Sequence, residues 1–331
     1  MTAARVRWGV LGVASIAVRR LIPAIARSQT GVLQAVASRE ERRAREAAER
    51  FGFRRAYGSY EALLADPEVD AVYIPLPNSL HRTWTERAAA AGKHVLCEKP
   101  LGITADDARA AVEACARARV VLMEAFMYRF HPQIERMVEL VRSGGIGPPW
   151  LVRAAFTFGV GPGPNIRLEP TLGGGGLLDV GCYCVNVARL ILGEPRTAFA
   201  AAEEERGVDV RLAGALRFDG SRMALVDCGL RAPYRQVCEV VGTEGSLLLR
   251  RPFQPEEDAT EIVVRRARGE PEERIEIPGT NQYVLMVEHF AAVVAGAPAR
   301  YPPQDAVANM RALDALAAAA RTGAPAEVAE G

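Results

Sequence analysis

The chain has 331 residues, 49% apolar and 24% charged, with 41 basic against 40 acidic side chains and a formal net charge of +1. That length suits two domains better than one core. The balanced charge excludes a chain that recruits nucleic acid or an anionic membrane through its overall field. Lys is scarce among the basic residues. No apolar run approaches the roughly 20 residues of a membrane span, and the first residues lack the apolar core and cleavage site of a secretory signal. A cytoplasmic location is therefore expected. Cys97, Cys115, Cys182, Cys184, Cys228 and Cys238 form no CxxC pair and have no partnered His spacing. They read as reduced, mostly buried thiols, with no metal site expected.

Through residue 125 short apolar runs alternate with amphipathic stretches. Val6–Leu11 reads as a strand, and Ser15–Ser28 as a helix kinked at Pro23. Strand Leu33–Ala37 and helix Glu40–Phe51 follow, then a short strand at Arg55–Tyr57. Ser59 caps a brief helix that stops at Asp66-Pro67. Ala71–Pro75 is a strand, Ser79–Ala91 a helix ended by Gly92, and His94–Cys97 a strand. Thr104 opens a helix with Asp107 three residues on, a variant of the capping box. Val120–Glu124 closes the series. This alternation predicts parallel strands joined by right-handed crossovers. Continuous apolar strands fit a sheet covered on both faces.

After Phe130 the pattern changes. A helix is expected over Pro132–Ser143. Segments at Leu151–Phe158, Arg211–Phe218, Met223–Leu230, Cys238–Val241, Ser246–Arg250, Glu261–Arg266 and Arg274–Ile277 then read as an antiparallel sheet. Asp219-Gly220 is a hairpin signal. Helices are expected at Gly176–Leu192, Tyr283–Ala295 and Asp305–Arg321, with a frayed tail after Gly323. The predicted domains are 1–125, binding a dinucleotide, and 126–331, binding substrate and making the oligomer.

The first strand runs into Gly12-x-Ala14-x-x-Ala17, a form of the dinucleotide fingerprint in which Ala14 replaces the second Gly. Gly12 permits the tight turn, the small residue at 14 lets the backbone approach a pyrophosphate, and Ser15 and Ile16 open the helix whose N–H groups face the anion. An NAD enzyme usually ends its second strand with Asp or Glu, for the ribose hydroxyls. Here Ser38-Arg39 stands in that place, with Arg43 nearby. A guanidinium suits a phosphate, so NADP is favoured over NAD.

Glu98-Lys99-Pro100 ends the strand His94–Cys97. A Lys at the carboxyl end of a parallel strand lies at the mouth of the ligand crevice, with Glu98 to hold its ammonium. In the second domain Gly173–Gly176 leads into a helix with Asp179 and Tyr183 four apart on one face, and Asn186 on or near it. A Tyr phenol ionises at about pH 10, and a neighbouring cation lowers that value.

Taken together, Gly9–Ala17, Tyr73–His81, Glu98-Lys99-Pro100 and Gly173–Tyr183 resemble the Gfo/Idh/MocA oxidoreductase family over nearly the whole chain. The resemblance implies an α/β protein: an N-terminal Rossmann domain, doubly wound and parallel, and a C-terminal α+β domain on a large, mostly antiparallel sheet. That sheet implies a homodimer or homotetramer. The resemblance further implies that Pro75, Leu76, Asn78 and His81 line the cofactor, Lys99 stands beside the nicotinamide, and Arg167 contacts cofactor or substrate. Tyr183, where inositol dehydrogenase-like members carry His, resembles the branch with a Tyr acid/base. The catalytic set is then Lys99, Tyr183 and Asp179, acting on a sugar, polyol or cyclic diol. Alternatives are a ketoreductase of a nucleotide-linked sugar and a cofactor-sensing regulator without turnover.

Overall fold

The computed structural model describes residues 5–161, 163–266 and 270–329. The chain forms two compact units, residues 1–127 with 281–307, and residues 128–280 with 308–331.

In the first unit the elements are β1 (Val6–Leu11), α1 (Ile22–Arg27), β2 (Gly31–Ala37), α2 (Glu41–Phe51), β3 (Arg55–Tyr57), α3 (Tyr60–Leu64), β4 (Ala71–Ile74), α4 (His81–Ala90), β5 (His94–Cys97), α5 (Ala105–Ala118) and β6 (Leu122–Glu124). The six strands pair in parallel in the order β3-β2-β1-β4-β5-β6. The order reverses between β1 and β4, and ligands of such sheets bind at the carboxyl ends beside that reversal. The caps follow the sequence. Ser59 Oγ accepts from Ala62 N at 3.1 Å and Thr104 Oγ1 from Asp107 N at 3.2 Å, while Gly92 takes φ 71° after α4. The expected kink at Pro23 is a π-helical turn at Ala17–Leu21 that leads into α1. The register of the helix changes just before the residue that has no N–H to give.

The second unit is built on α6 (Pro132–Arg142), β7 (Pro149–Gly159), α7 (Cys182–Leu192), β8 (Pro195–Glu205), β9 (Val208–Phe218), β10 (Met223–Gly229), β11 (Arg231–Gly242), β12 (Ser246–Leu249), β13 (Thr260–Arg265) and β14 (Glu273–Ile277). The chain ends with α8 (Gln282–Val294), α9 (Gln304–Thr322) and β15 (Ala326–Glu327). One nine-stranded sheet runs β14-β13-β12-β11-β7-β10-β9-β8-β15. Its pairs are antiparallel except β7 with β10. Asp219-Gly220 turns the β9–β10 hairpin, closed by Phe218 N to Arg222 O at 2.8 Å. α7 packs on β7 and β10.

Three expectations need correction. Residues 195–205 form a strand that the sequence does not announce. The tail is paired rather than frayed, since Ala326 and Glu327 match Ala198 and Thr197. Residues 281–307, expected in the second domain, belong to the first unit. There α8 packs on α1 and β2, Phe290 meets Trp8 with ring centroids 4.9 Å apart, and Thr30 Oγ1 donates to Glu288 at 2.8 Å. A fourth point concerns hydropathy. The stretch Pro170–Leu192 is long and apolar enough to cross a membrane, but 78% of its most apolar window is buried inside the protein. It is a core segment.

Candidate active site

Gly12 ends β1 with φ 111°, a conformation that costs other residues about 1–3 kcal/mol. An added Cβ would lie 3.2 Å from Leu76 Cδ2 and 3.4 Å from the Tyr60 hydroxyl. Gly12 N donates to Ala37 O at 2.9 Å, which ties the turn to the end of β2. Ala14 and Ile16 are half-buried and Ser15 is exposed, so this turn offers backbone to a ligand and little side chain.

At the end of β2, Ser38 is buried and its Oγ accepts from Glu40 N at 3.2 Å. Ser38 shapes the turn and leaves Arg39 exposed beside it. Arg43 donates to Val13 O at 3.3 Å and lies 3.7 Å from Glu40. Burial raises the Tyr60 phenol pKa, while Arg39 and Arg43 pull it down. Two guanidiniums therefore share a corner with the Gly12 turn, and that donor set fits a phosphate. Arg42 is spent on Glu46 at 2.7 Å.

Pro75 is buried, whereas Leu76 and Asn78 are half-buried. His81, expected to line the cofactor, is fully buried. Its Nδ1 lies 2.7 Å from Pro100 O and its Nε2 2.8 Å from Leu76 O. Burial lowers its pKa to about 4, with Lys99 adding to the effect against the two carbonyls. The ring lies between the loop after β4 and the loop after β5, and, kept neutral by burial, it donates its single N–H to one of these two carbonyls. Glu98 accepts from the Tyr73 hydroxyl at 2.6 Å and from Lys99 N at 3.3 Å. Leu101 N donates to Glu124 at 2.9 Å. The Lys99-Pro100 bond is cis.

In the second unit Asp179 lies in a π-helical turn, Leu177–Gly181, that runs into α7. Wider turns of this kind recur at functional sites, and here one separates Asp179 from Tyr183. Arg167 Nε donates to Asp179 Oδ2 at 2.6 Å, and its guanidinium lies 5.6 Å from the Phe158 ring centroid. The Tyr183 ring packs against Phe253, Phe156 and Tyr128 at centroid distances of 5.4, 5.6 and 5.8 Å. Asn186 is buried beneath this wall. Its Oδ1 accepts from the Tyr128 hydroxyl at 2.5 Å and from Arg129 Nε at 2.7 Å, and its Nδ2 donates to Asn309 at 3.3 Å. Asn186 therefore fixes α7 and its neighbours. Twelve positions separate Arg167 from Asp179, so no helical spacing announces their pairing. Tyr128, Arg129 and Asn309 are likewise visible only in three dimensions. Among the described residues no group of three or more His, Cys, Asp or Glu gathers as a metal site.

A doubly wound sheet with a glycine turn facing two guanidiniums, and a separate sheet unit with a carboxylate and a phenol at a helix start, define a nicotinamide-dependent oxidoreductase. Residues 6–126 match the profile of the oxidoreductase family with an NAD-binding Rossmann fold, and residues 134–248 that of the GFO/IDH/MocA C-terminal domain. The chain belongs to the Gfo/Idh/MocA oxidoreductase family. It is 43% identical to a D-xylose 1-dehydrogenase (NADP(+)) of Haloferax volcanii, over 97% of this chain and 99% of that protein. A 3-ketoreductase from Actinomadura kijaniata, solved with NADP and TDP-benzene, superposes with a TM-score of 0.90 at 34% identity, covering 97% of this chain and 98% of that one. An aldose-aldose oxidoreductase from Caulobacter crescentus also gives 0.90, at 28% identity and 98% and 99% coverage. This chain is accordingly an NAD(P)-dependent oxidoreductase.

Proposed function

We propose that the enzyme is an NADP-dependent aldose 1-dehydrogenase type, interconverting a CH–OH and a C=O group of a sugar or related polyol. The observation that carries this reading is the glycine-rich turn of the second unit, which presents Asp179, held by Arg167, one helical step before Tyr183. NADP, when bound, supplies the hydride acceptor. The Gly12 turn, with Ala14, Ser15 and Ile16, takes the pyrophosphate, and Arg39 and Arg43 take the 2′-phosphate. Pro75, Leu76 and Asn78 line the cofactor, and His81 with Glu98 positions the loops that hold it. Tyr183 removes the hydroxyl proton as the carbon is oxidised. Lys99 stabilises the charge that develops on that oxygen. Asp179 bonds the neighbouring sugar hydroxyls in the orientation Arg167 gives it.

A panel of aldoses, polyols and cyclic diols, each assayed with NADP⁺ and NAD⁺ by nicotinamide absorbance, tests the reading. Turnover of at least one aldose with NADP⁺ is expected. Failure of the whole panel would leave a regulator that binds cofactor without chemistry. In the same assay Arg39→Ala should raise the KM for NADP⁺ about ten- to a hundredfold, the value of one charged hydrogen bond of about 1.5–3 kcal/mol. The KM for NAD⁺ should hardly move. Equal losses with both cofactors would remove Arg39 from the 2′-phosphate.

The working form is a cytoplasmic homodimer or homotetramer built on the open face of the nine-stranded sheet. Cross-strand register puts Phe199, Ala215, Leu225, Arg153 and Glu239 in one row on that face. Phe199 is 40% and Leu225 41% exposed, while Arg153 pairs with Glu239 at 3.4 Å. Arg235–Asp227 and Arg211–Glu203 are further neutral pairs. An apolar face whose charges are already matched suits a second copy of itself. Light scattering should give at least twice the chain mass, and Leu225→Glu should shift it towards the monomer.

A further inference from the structure

The β8–β9 hairpin delivers a carboxylate to the turn that starts α7. In this hairpin Glu203 pairs with Arg211 but Glu204 pairs with Asp209, so Val210 is an extra residue, a β-bulge. Bulges re-aim side chains. Strict alternation would put Asp209 on the open face with Arg211 and Ala213. The bulge turns it to the opposite face, where Leu177 N donates to Asp209 Oδ2 at 2.6 Å. The two residues that precede this turn are shaped for the same carboxylate. Gly175 has φ 115°, and a Cβ there would collide with Asp209 Oδ1. A Cβ on Gly176 would lie 3.3 Å from Asp209 Oδ2 and 3.3 Å from Gly229 Cα. The bulge, the hydrogen bond and two glycines converge on one side chain that the reaction itself does not use.

We propose that Asp209 is a positioning residue: its carboxylate fixes the glycine-rich turn, and through it the placement of Asp179 and of the start of α7 with Tyr183. The proposal rests on the reading of Asp179 and Tyr183 as the reacting end. Burial is the main cause that raises the Asp209 pKa, to about 6, and Glu204 on the paired strand adds to it. Backbone N–H groups of Leu177, Asp209 and Gly176 pull the other way. From β10 the facing group is the Cys228 thiol, itself pushed up by burial and by Asp209. On the open face Arg211 is turned to Glu203, and Asp179 is engaged by Arg167. As an anion Asp209 accepts from the turn's N–H groups; once protonated, one oxygen becomes a donor facing other donors. The turn then loosens, and kcat falls as the pH drops below about 6.

The test is the pH profile of kcat in wild type, Asp209→Asn and Asp209→Ala, with NADPH affinity measured alongside. Asparagine keeps the shape and one carbonyl acceptor but cannot titrate, so its profile should lose the acid limb near pH 6. Alanine should lower kcat about ten- to a hundredfold, the effect of a misplaced group, with NADPH affinity within about twofold because the cofactor residues lie in the other unit. If Asp209→Ala does not fold, Asp209→Asn decides alone. An unchanged acid limb in Asp209→Asn, or wild-type kcat in Asp209→Ala, overturns the proposal. Tyr183→Phe is assayed in parallel. If it keeps full turnover, the underlying reading fails; if it is inactive while both Asp209 variants behave as wild type, only this proposal fails.

Discussion

Tyr183→Phe is expected to bind NADPH as tightly as wild type and to lose about 10²–10⁴-fold in kcat, the contribution of a positioned proton-transfer group. The substitution is clean because the ring is held by other rings. Phe253, Phe156 and Tyr128 meet Tyr183 at 5.4–5.8 Å between centroids, and phenylalanine keeps each of those contacts. Aromatic pairs are worth about 0.5–1.5 kcal/mol each beyond their buried area, so the melting temperature should change little. Retained turnover would move the proton-transfer role elsewhere. A large fall in melting temperature would mean that the hydroxyl serves the fold. The pair of measurements therefore separates chemistry from packing.

The first unit was largely legible because its signals are local. β1 and β5 begin and end where mostly apolar runs meet Gly or charge, and the Ser59 and Thr104 caps are made by the side chains expected to make them. β8 was hidden because Pro195–Glu205 is rich in Ala and Glu, helix formers with no period-two alternation. Its strand state comes from pairing along β9 and β15, a tertiary override of propensity. The return of α8 to the first unit is a long-range docking event, and composition holds no record of it. Within the candidate site, residue types were readable and partnerships were not. His81 reads in sequence as a ligand residue, and its burial between two carbonyl oxygens is visible only in three dimensions. Asp209 carries no spacing signal at all. The only trace of it in sequence is Gly175-Gly176, whose lack of side chains a carboxylate from another strand explains. The scarcity of lysine is a further compositional feature. Lys93 and Lys99 are the only lysines among 41 basic residues. In a chain so biased to arginine, a lysine that remains can mark a place where a compact ammonium is needed. Lys93 shows this for structure, since it is buried with Nζ 2.7 Å from Asp66 O and 2.8 Å from Val69 O.

Lys99→Met is expected to lower kcat by about 10²–10³-fold, the loss of one preorganised donor to a developing oxyanion. Methionine keeps the unbranched stem and removes the ammonium. The fold should tolerate this, because the loop that carries Lys99 is fixed by other groups. Glu98 N donates to Ile74 O at 3.1 Å, Tyr73 holds the Glu98 carboxylate, His81 bridges to Pro100 O, and Glu124 takes Leu101 N. A site supported in this way loses function before it loses stability. The scarcity of lysine supplies a second, independent readout. Lys93 is 8% exposed and its ammonium is engaged by two carbonyls, whereas Lys99 is half-buried. An amine-directed reagent should therefore modify Lys99 well before Lys93. Saturating NADPH should slow modification of Lys99. Labelling of Lys99 that is indifferent to NADPH, together with near-wild-type turnover in Lys99→Met, would remove this side chain from the reaction.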